Sequence, residues 1–242
     1  MSRYSVGQKA AAWGVHAFTA SGLACAWLMM VGLQQKHIQY VFLGIWAATI
    51  IDSVDGTLAR RLNVKKVLPG FDGGLLDNIV DFVTFAFIPC LALSVFGLLP
   101  PGLEWTACIP MFASAYQFCQ SNAKTPDSFV GFPSYWNILL IYLYVLEANP
   151  WLSLASIVVL SILVFVPIHY LYPSKARTLR WPTMIFGFLW AFMLVPVMLF
   201  PEADWAYPLT WASFTFPVYY LLASFYHHFV VVAGRAHEPP AA

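Results

Sequence analysis

Eight runs of mostly apolar residues, near 10–33, 38–60, 74–98, 104–121, 134–147, 150–172, 181–200 and 209–232, take up most of this 242-residue chain. A helix needs about 20 such residues to cross the hydrocarbon core of a bilayer. The fifth run is the shortest of the set. Breakers fall between the runs, among them Pro100-Pro101, Pro126, Pro150, Pro173, Pro201 and Pro208, where a helix is expected to stop. Charged residues are 10% of the chain and hydrophobic ones 60%, against about 25% charged in a soluble domain. These patterns predict an all-α polytopic membrane protein of about eight spans, with residues 1–242 forming one domain. The first run follows Arg3 and Lys9 and is longer than the core of a signal peptide, so it reads as a retained span.

The basic residues orient the bundle. With the N-terminus cytoplasmic, the inner segments hold Arg3, Lys9, Arg60, Arg61, Lys65, Lys66, Lys124, Lys175, Arg177, Arg180 and Arg235, and the outer ones hold only Lys36. The outer loops carry Glu104, Glu147, Glu202 and Asp204 instead. Positive charge stays on the cytoplasmic side, so an even number of spans with both termini inside is expected.

Against this apolar background, the run from Ile51 to Phe82 holds Asp52, Asp55, Asp72, Asp77 and Asp81, five of the eleven acidic residues. Ionisable groups at a bilayer are costly and usually functional. On a helix, Asp52, Asp55, Gly56, Ala59 and Arg60 fall within roughly 140° of arc at 100° per residue. Gly73, Asp77 and Asp81 are spaced i, i+4, i+8 and make a second stripe. Two carboxylates from each helix can then face each other. Without a cation they repel, and some are forced neutral. One divalent ion, or two, removes the conflict, and hard cations such as Mg²⁺ share their shell readily between carboxylates and substrate phosphates.

The pattern D-x-x-D-G-x-x-A-R, a gap, then G-x-x-x-D-x-x-x-D resembles the signature of the CDP-alcohol phosphotransferase family. Here it reads Asp52, Asp55, Gly56, Ala59, Arg60, then Gly73, Asp77, Asp81. The gap of twelve residues, Arg61 to Asp72, is longer than the commoner family form. That longer gap, the run FPSYWN at Phe132–Asn137 and the layout of eight spans resemble the branch of bacterial phosphatidylcholine synthases.

The resemblance implies an integral enzyme of the bacterial inner membrane with its site on the cytoplasmic face. The donor is then CDP-diacylglycerol, the acceptor choline, and the products phosphatidylcholine and CMP. Mn²⁺ or Mg²⁺, as a pair of ions, is the implied cofactor. Asp52, Asp55 and Asp77 are the implied metal ligands, with Asp81 the general base and a further contact to metal. Gly56, Ala59, Arg60, Gly73 and Lys124 are candidates for binding CDP-diacylglycerol. A homodimer is implied as well. Choline has no N–H donor, so its ammonium is selected by aromatic faces. Tyr116, Tyr135 and Trp136 are the candidate rings, and Asn137 a candidate for the acceptor hydroxyl.

Other acceptors (serine, inositol, glycerol phosphate), or CDP-choline with diacylglycerol, keep the same chemistry. An ion or proton transporter is the alternative of a different class, although transporters favour midplane sites and internal repeats, and no repeat is apparent. Cys25, Cys90, Cys108 and Cys119 show no metal-ligand spacing and read as small buried hydrophobes. His16, Thr19 and Ser21 read as interhelical hydrogen bonders, His227 and His228 as interfacial residues, and Asp72 as an acid off both stripes.

Overall fold

A computed structural model describes residues 4–125, 128–172 and 179–232. The first run folds as two helices in line, α1 (Val6–Ala20) and α2 (Gly22–Gln35). α1 starts at a capping box, in which Ser5 and Gln8 each bond the other's backbone N–H. The break falls at Ser21, whose hydroxyl donates to the Phe18 carbonyl at 2.6 Å. α3 (Ile38–Arg61) then runs back for 24 residues against α2. Gly44 lets them approach: a Cβ there would stand 2.8 Å from the Cys25 carbonyl oxygen and inside the Met29 side chain.

A one-turn helix, α4 (Val64–Val67), follows, and then α5 (Gly73–Asp81). α5 continues through a π-helical turn, Phe82–Phe87, into α6 (Ile88–Val95). A short 3₁₀ turn at Glu104–Ala107 leads into α7 (Cys108–Cys119), and α8 (Trp136–Val145) and α9 (Pro150–Phe165) come next. The remaining helices are α10 (Arg180–Leu199), α11 (Ala206–Ser213) and α12 (Thr215–Tyr226), the last followed by a π turn at His227–Val232.

Each of the eight apolar runs thus contains helix. Among the described residues, four helical stretches are long and apolar enough to cross a membrane: Val6–Gln35, Ile38–Arg61, Gly73–Val95 and Arg180–Leu199. Trp136–Val145 and Pro150–Phe165 are shorter apolar helices. The protein is a polytopic helical membrane protein. Its core gathers Met29, Phe42, Ile45, Leu93, Leu140, Ile157 and Val197. A smaller cluster of Ala12, Val15, Val64 and Val67 pins α4 to α1.

The structure departs from the apolar pattern in two places. The run 150–172 is not one helix. It stops at Phe165, and Val166 is extended (φ −84°, ψ 123°) ahead of Pro167, as the residue before a proline prefers. The chain then forms β2 (His169–Leu171), antiparallel to β1 (Ser128–Val130). Beside that pair Gly131 turns with φ 80°, its Cα against the Val164 carbonyl. The second departure concerns the cysteines. All four are free, but Cys108 and Cys119 are exposed on the outside of α7 instead of buried.

Candidate active site

α3 and α5 bring the acidic stripes together at one end of the bundle. Ligand oxygens of Asp52, Asp55 and Asp77 all lie within 4.8 Å of one another. Asp55 is buried, and the Thr19 hydroxyl of α1 donates to its Oδ2 at 2.8 Å. Asp77 is half-buried and Asp52 exposed. Asp81, one turn beyond Asp77, does not fall within that 4.8 Å span. Three carboxylates this close repel unless a cation joins them, and an all-oxygen donor set suits a hard divalent ion. The residues present therefore fit a divalent metal.

Two clefts share these aspartates. One, of about 500 Å³, has Asp55 and Asp77 in its wall, with His16, Gly56, Ala59, Lys65 and Gly73. The other, of about 450 Å³, is walled by Asp52 and Asp81 together with Lys124, Tyr135 and Asn137. The rest of its lining is largely apolar and aromatic, including Trp46, Phe85, Trp190 and Leu194.

Not every candidate residue lines a cleft. Gly56, Ala59 and Gly73 belong to the first. Arg60 instead folds back along α3: its Nη2 donates to Thr57 Oγ1 at 3.0 Å, and its Nη1 lies 3.3 Å from where a Cβ at Gly56 would be. Lys124 is in the second cleft, at the loop end that bridges to Phe129. Tyr135 and Asn137 share that cleft with Asp81, and the Asn137 Oδ1 is buried with no hydrogen-bond partner.

Trp136 points elsewhere. It is fully buried, and its Nε1 donates to Ser114 Oγ at 2.6 Å. Ser114 in turn bonds Ser134, which donates to Gln117 Oε1. This chain of bonds fixes the turn before α8, where Ser134 has φ 55°. Trp136 is thus the anchor behind the cleft. Tyr116 is 46% exposed on α7 and packs on Phe165, 4.8 Å between ring centroids, away from either cleft.

Asp72 has a task that the helical stripes do not reveal. Its Oδ1 accepts from the backbone N–H of Gly74 and of Leu75, each at 3.0 Å, and so caps α5. An acid directly before Gly-Gly-Leu-Leu was the available signal. His16 is the other residue that spacing misses: it enters the first cleft from α1, and no local pattern links it to α5. His228 lies by the strand pair, its Nδ1 accepting from the His169 backbone N–H at 3.2 Å. Asp127, Lys175, Arg177 and Arg235 lie outside the described residues.

The protein resembles known enzymes along most of its length. A phosphatidylcholine synthase of Pseudomonas aeruginosa is 39% identical over 184 residues, 75% of this chain and 77% of that protein. One of Legionella pneumophila is 45% identical over 178 residues, 71% of this chain and 69% of the relative. One of Mesorhizobium japonicum is 38% identical over 184 residues, with 75% and 69% covered. The family model described as CDP-alcohol phosphatidyltransferase matches residues 16–186, a stretch that includes all four aspartates and both strands. The chain therefore belongs to the CDP-alcohol phosphatidyltransferase family.

Proposed function

We propose that this protein is a phosphatidylcholine synthase, moving the phosphatidyl group of CDP-diacylglycerol to the hydroxyl of choline and releasing CMP. The observation that carries the reading is the carboxylate triad set between a polar and an apolar cleft. The names of the relatives favour choline as acceptor.

In this reading Asp52, Asp55 and Asp77 would hold a pair of Mn²⁺ or Mg²⁺ ions, and the bound metal would supply positive charge against the donor's phosphates and the charge of departing CMP. Gly56, Ala59 and Gly73 face the nucleotide half of the donor. Asp81 takes the proton from the choline hydroxyl. The freed oxygen attacks the phosphorus that carries diacylglycerol, and the bond from that phosphorus to CMP breaks. Lys124, across the cleft from Asp81, attracts the anionic lipid phosphate. Tyr135 offers its ring to the quaternary ammonium, and Asn137, in the same cleft, orients the acceptor oxygen through its side-chain amide N–H. The wider arrangement we propose is eight spans, both termini and the site on the cytoplasmic side of a bacterial inner membrane.

The test is CMP release by the purified protein in detergent, with CDP-diacylglycerol and choline, serine, inositol or glycerol phosphate offered separately. Turnover with choline alone is expected, lost on chelation and restored by Mn²⁺ or Mg²⁺. Tyr135→Ala and Asn137→Ala should raise the KM for choline by about tenfold, equal to about 1.4 kcal/mol, and leave that for the donor nearly unchanged. Turnover with serine or inositol in place of choline defeats the reading.

A further inference from the structure

One buried polar group in the first cleft has no role in this scheme. His16 is 6% exposed, and its Nε2 has no hydrogen-bond partner. A buried nitrogen left unpaired costs stability and calls for a cause.

The ring is held in place from several sides. Phe71 packs on it with centroids 4.4 Å apart, Trp13 with centroids 5.7 Å apart, and Trp13 and Phe71 meet edge-on at 5.1 Å. On a further side stands Gly73, where a Cβ would lie 2.5 Å from His16 Cε1. The bare position at 73 therefore makes room for the imidazole. Three residues along α1, Thr19 holds Asp55. One face of α1 thus supplies both the support for a triad carboxylate and a histidine held in the same cleft.

The two clefts differ in what they suit. The second carries the aromatic and aliphatic wall and Asp81. The first has the smaller apolar lining, with Gly56, Gly70, Gly73, Gly74 and Lys65 among its residues. A donor with its phosphates at the triad and its acyl chains toward the apolar wall has its nucleoside left for the first cleft. A neutral imidazole offers one N–H donor and one acceptor nitrogen, which suits a pyrimidine edge or a ribose hydroxyl.

We propose that His16 is a binding residue for the nucleoside half of the nucleotide–lipid donor, its imidazole supplying a hydrogen bond to base or ribose from the α1 wall. Phe71, on the short connection between α4 and α5, packs on the ring, and contact of the nucleoside with the buried Nε2 requires a neighbouring side chain to shift. The inference rests on the donor assigned above, but not on the acceptor.

The experiment measures CMP and cytidine binding to the purified full-length protein with Mn²⁺, alongside inorganic pyrophosphate. His16→Phe keeps the ring and removes both nitrogens, whereas His16→Gln returns an amide near Nε2. His16→Phe should weaken CMP and cytidine by tenfold or more, leave pyrophosphate and the KM for choline unchanged, and shift Tm little. His16→Gln should recover most of the loss. His16→Ala serves as second variant if His16→Phe does not fold, with the same losses expected. Wild-type CMP affinity in a variant lacking both nitrogens overturns the proposal. So does equal weakening toward all ligands with no recovery in His16→Gln, the mark of a structural role. CMP is released whatever the acceptor, so a wrong choice of choline would fail in the turnover assay while leaving this result intact.

Discussion

Asp72 and Asp77 stand one turn and a half apart at the start of the same helix, and their carboxylates do different work. Asp72 Oδ1 is engaged by two backbone N–H groups, whereas Asp77 meets Asp52 and Asp55. Asp72→Ala should therefore lower stability by about 1 kcal/mol, the usual worth of a helix cap, with activity per folded molecule mostly kept. Thermal unfolding and specific activity on the same preparation separate the two effects. Asp52→Asn, Asp55→Asn, Asp77→Asn and Asp81→Asn should each remove nearly all turnover with Tm little lowered, because crowding like charges stabilises nothing. Normal turnover in any one of them, at matched protein amount, would release that carboxylate from its assigned role. The aspartate spacing was legible in the chain because i, i+3 and i+4 neighbours share a helix face. The direction of an aromatic ring was not. Trp136 and Tyr135 are adjacent, yet the indole turns inward to Ser114 while the phenol lines the cleft. Trp136→Phe should consequently lower Tm and weaken both substrates alike, since it unfastens the turn that holds Ser134.

Among the elements, α2 and α3 form the most extensive helix pair, and Gly44 sits where they cross. Small residues at such crossings let backbones approach in a membrane. Gly44→Ala would push into Met29 and the Cys25 carbonyl, and overpacking of this kind costs about 1–3 kcal/mol. A Tm lower by several degrees in detergent is expected; an unchanged Tm would mean that the pair can spread apart freely. The helices were readable from the apolar runs because length and composition set them. The strand pair at Ser128–Val130 and His169–Leu171 was not, for its partners lie about forty residues apart and register only in the folded chain. Pro167 alone hinted that the sixth run ends early. The π-helical turn at Phe82–Phe87 was equally hidden. It places an irregular turn directly after Asp81, between the acidic half of that span and its apolar half.

At the scale of the whole molecule, the sorting of lysine and arginine predicts which end of the bundle faces the cytoplasm. In a cysteine-free background, needed because Cys108 and Cys119 are exposed, a cysteine at Lys66, exposed beside the buried Val64, should resist an impermeant thiol reagent in intact cells and react once the membrane is opened. One at Ala203 should react. The reverse pattern would turn the bundle over. The clefts on either side of the aspartates have a consequence for traffic. Trp46 and Ile50, both partly open to the outside, edge the apolar cleft, whereas Lys65, Gly70 and Asp72 rim the polar one. Under the assignment proposed above, the two products part at the metal-binding carboxylates and leave by separate doors. CMP departs toward water, and the finished lipid slides sideways into the leaflet without its acyl chains being wetted.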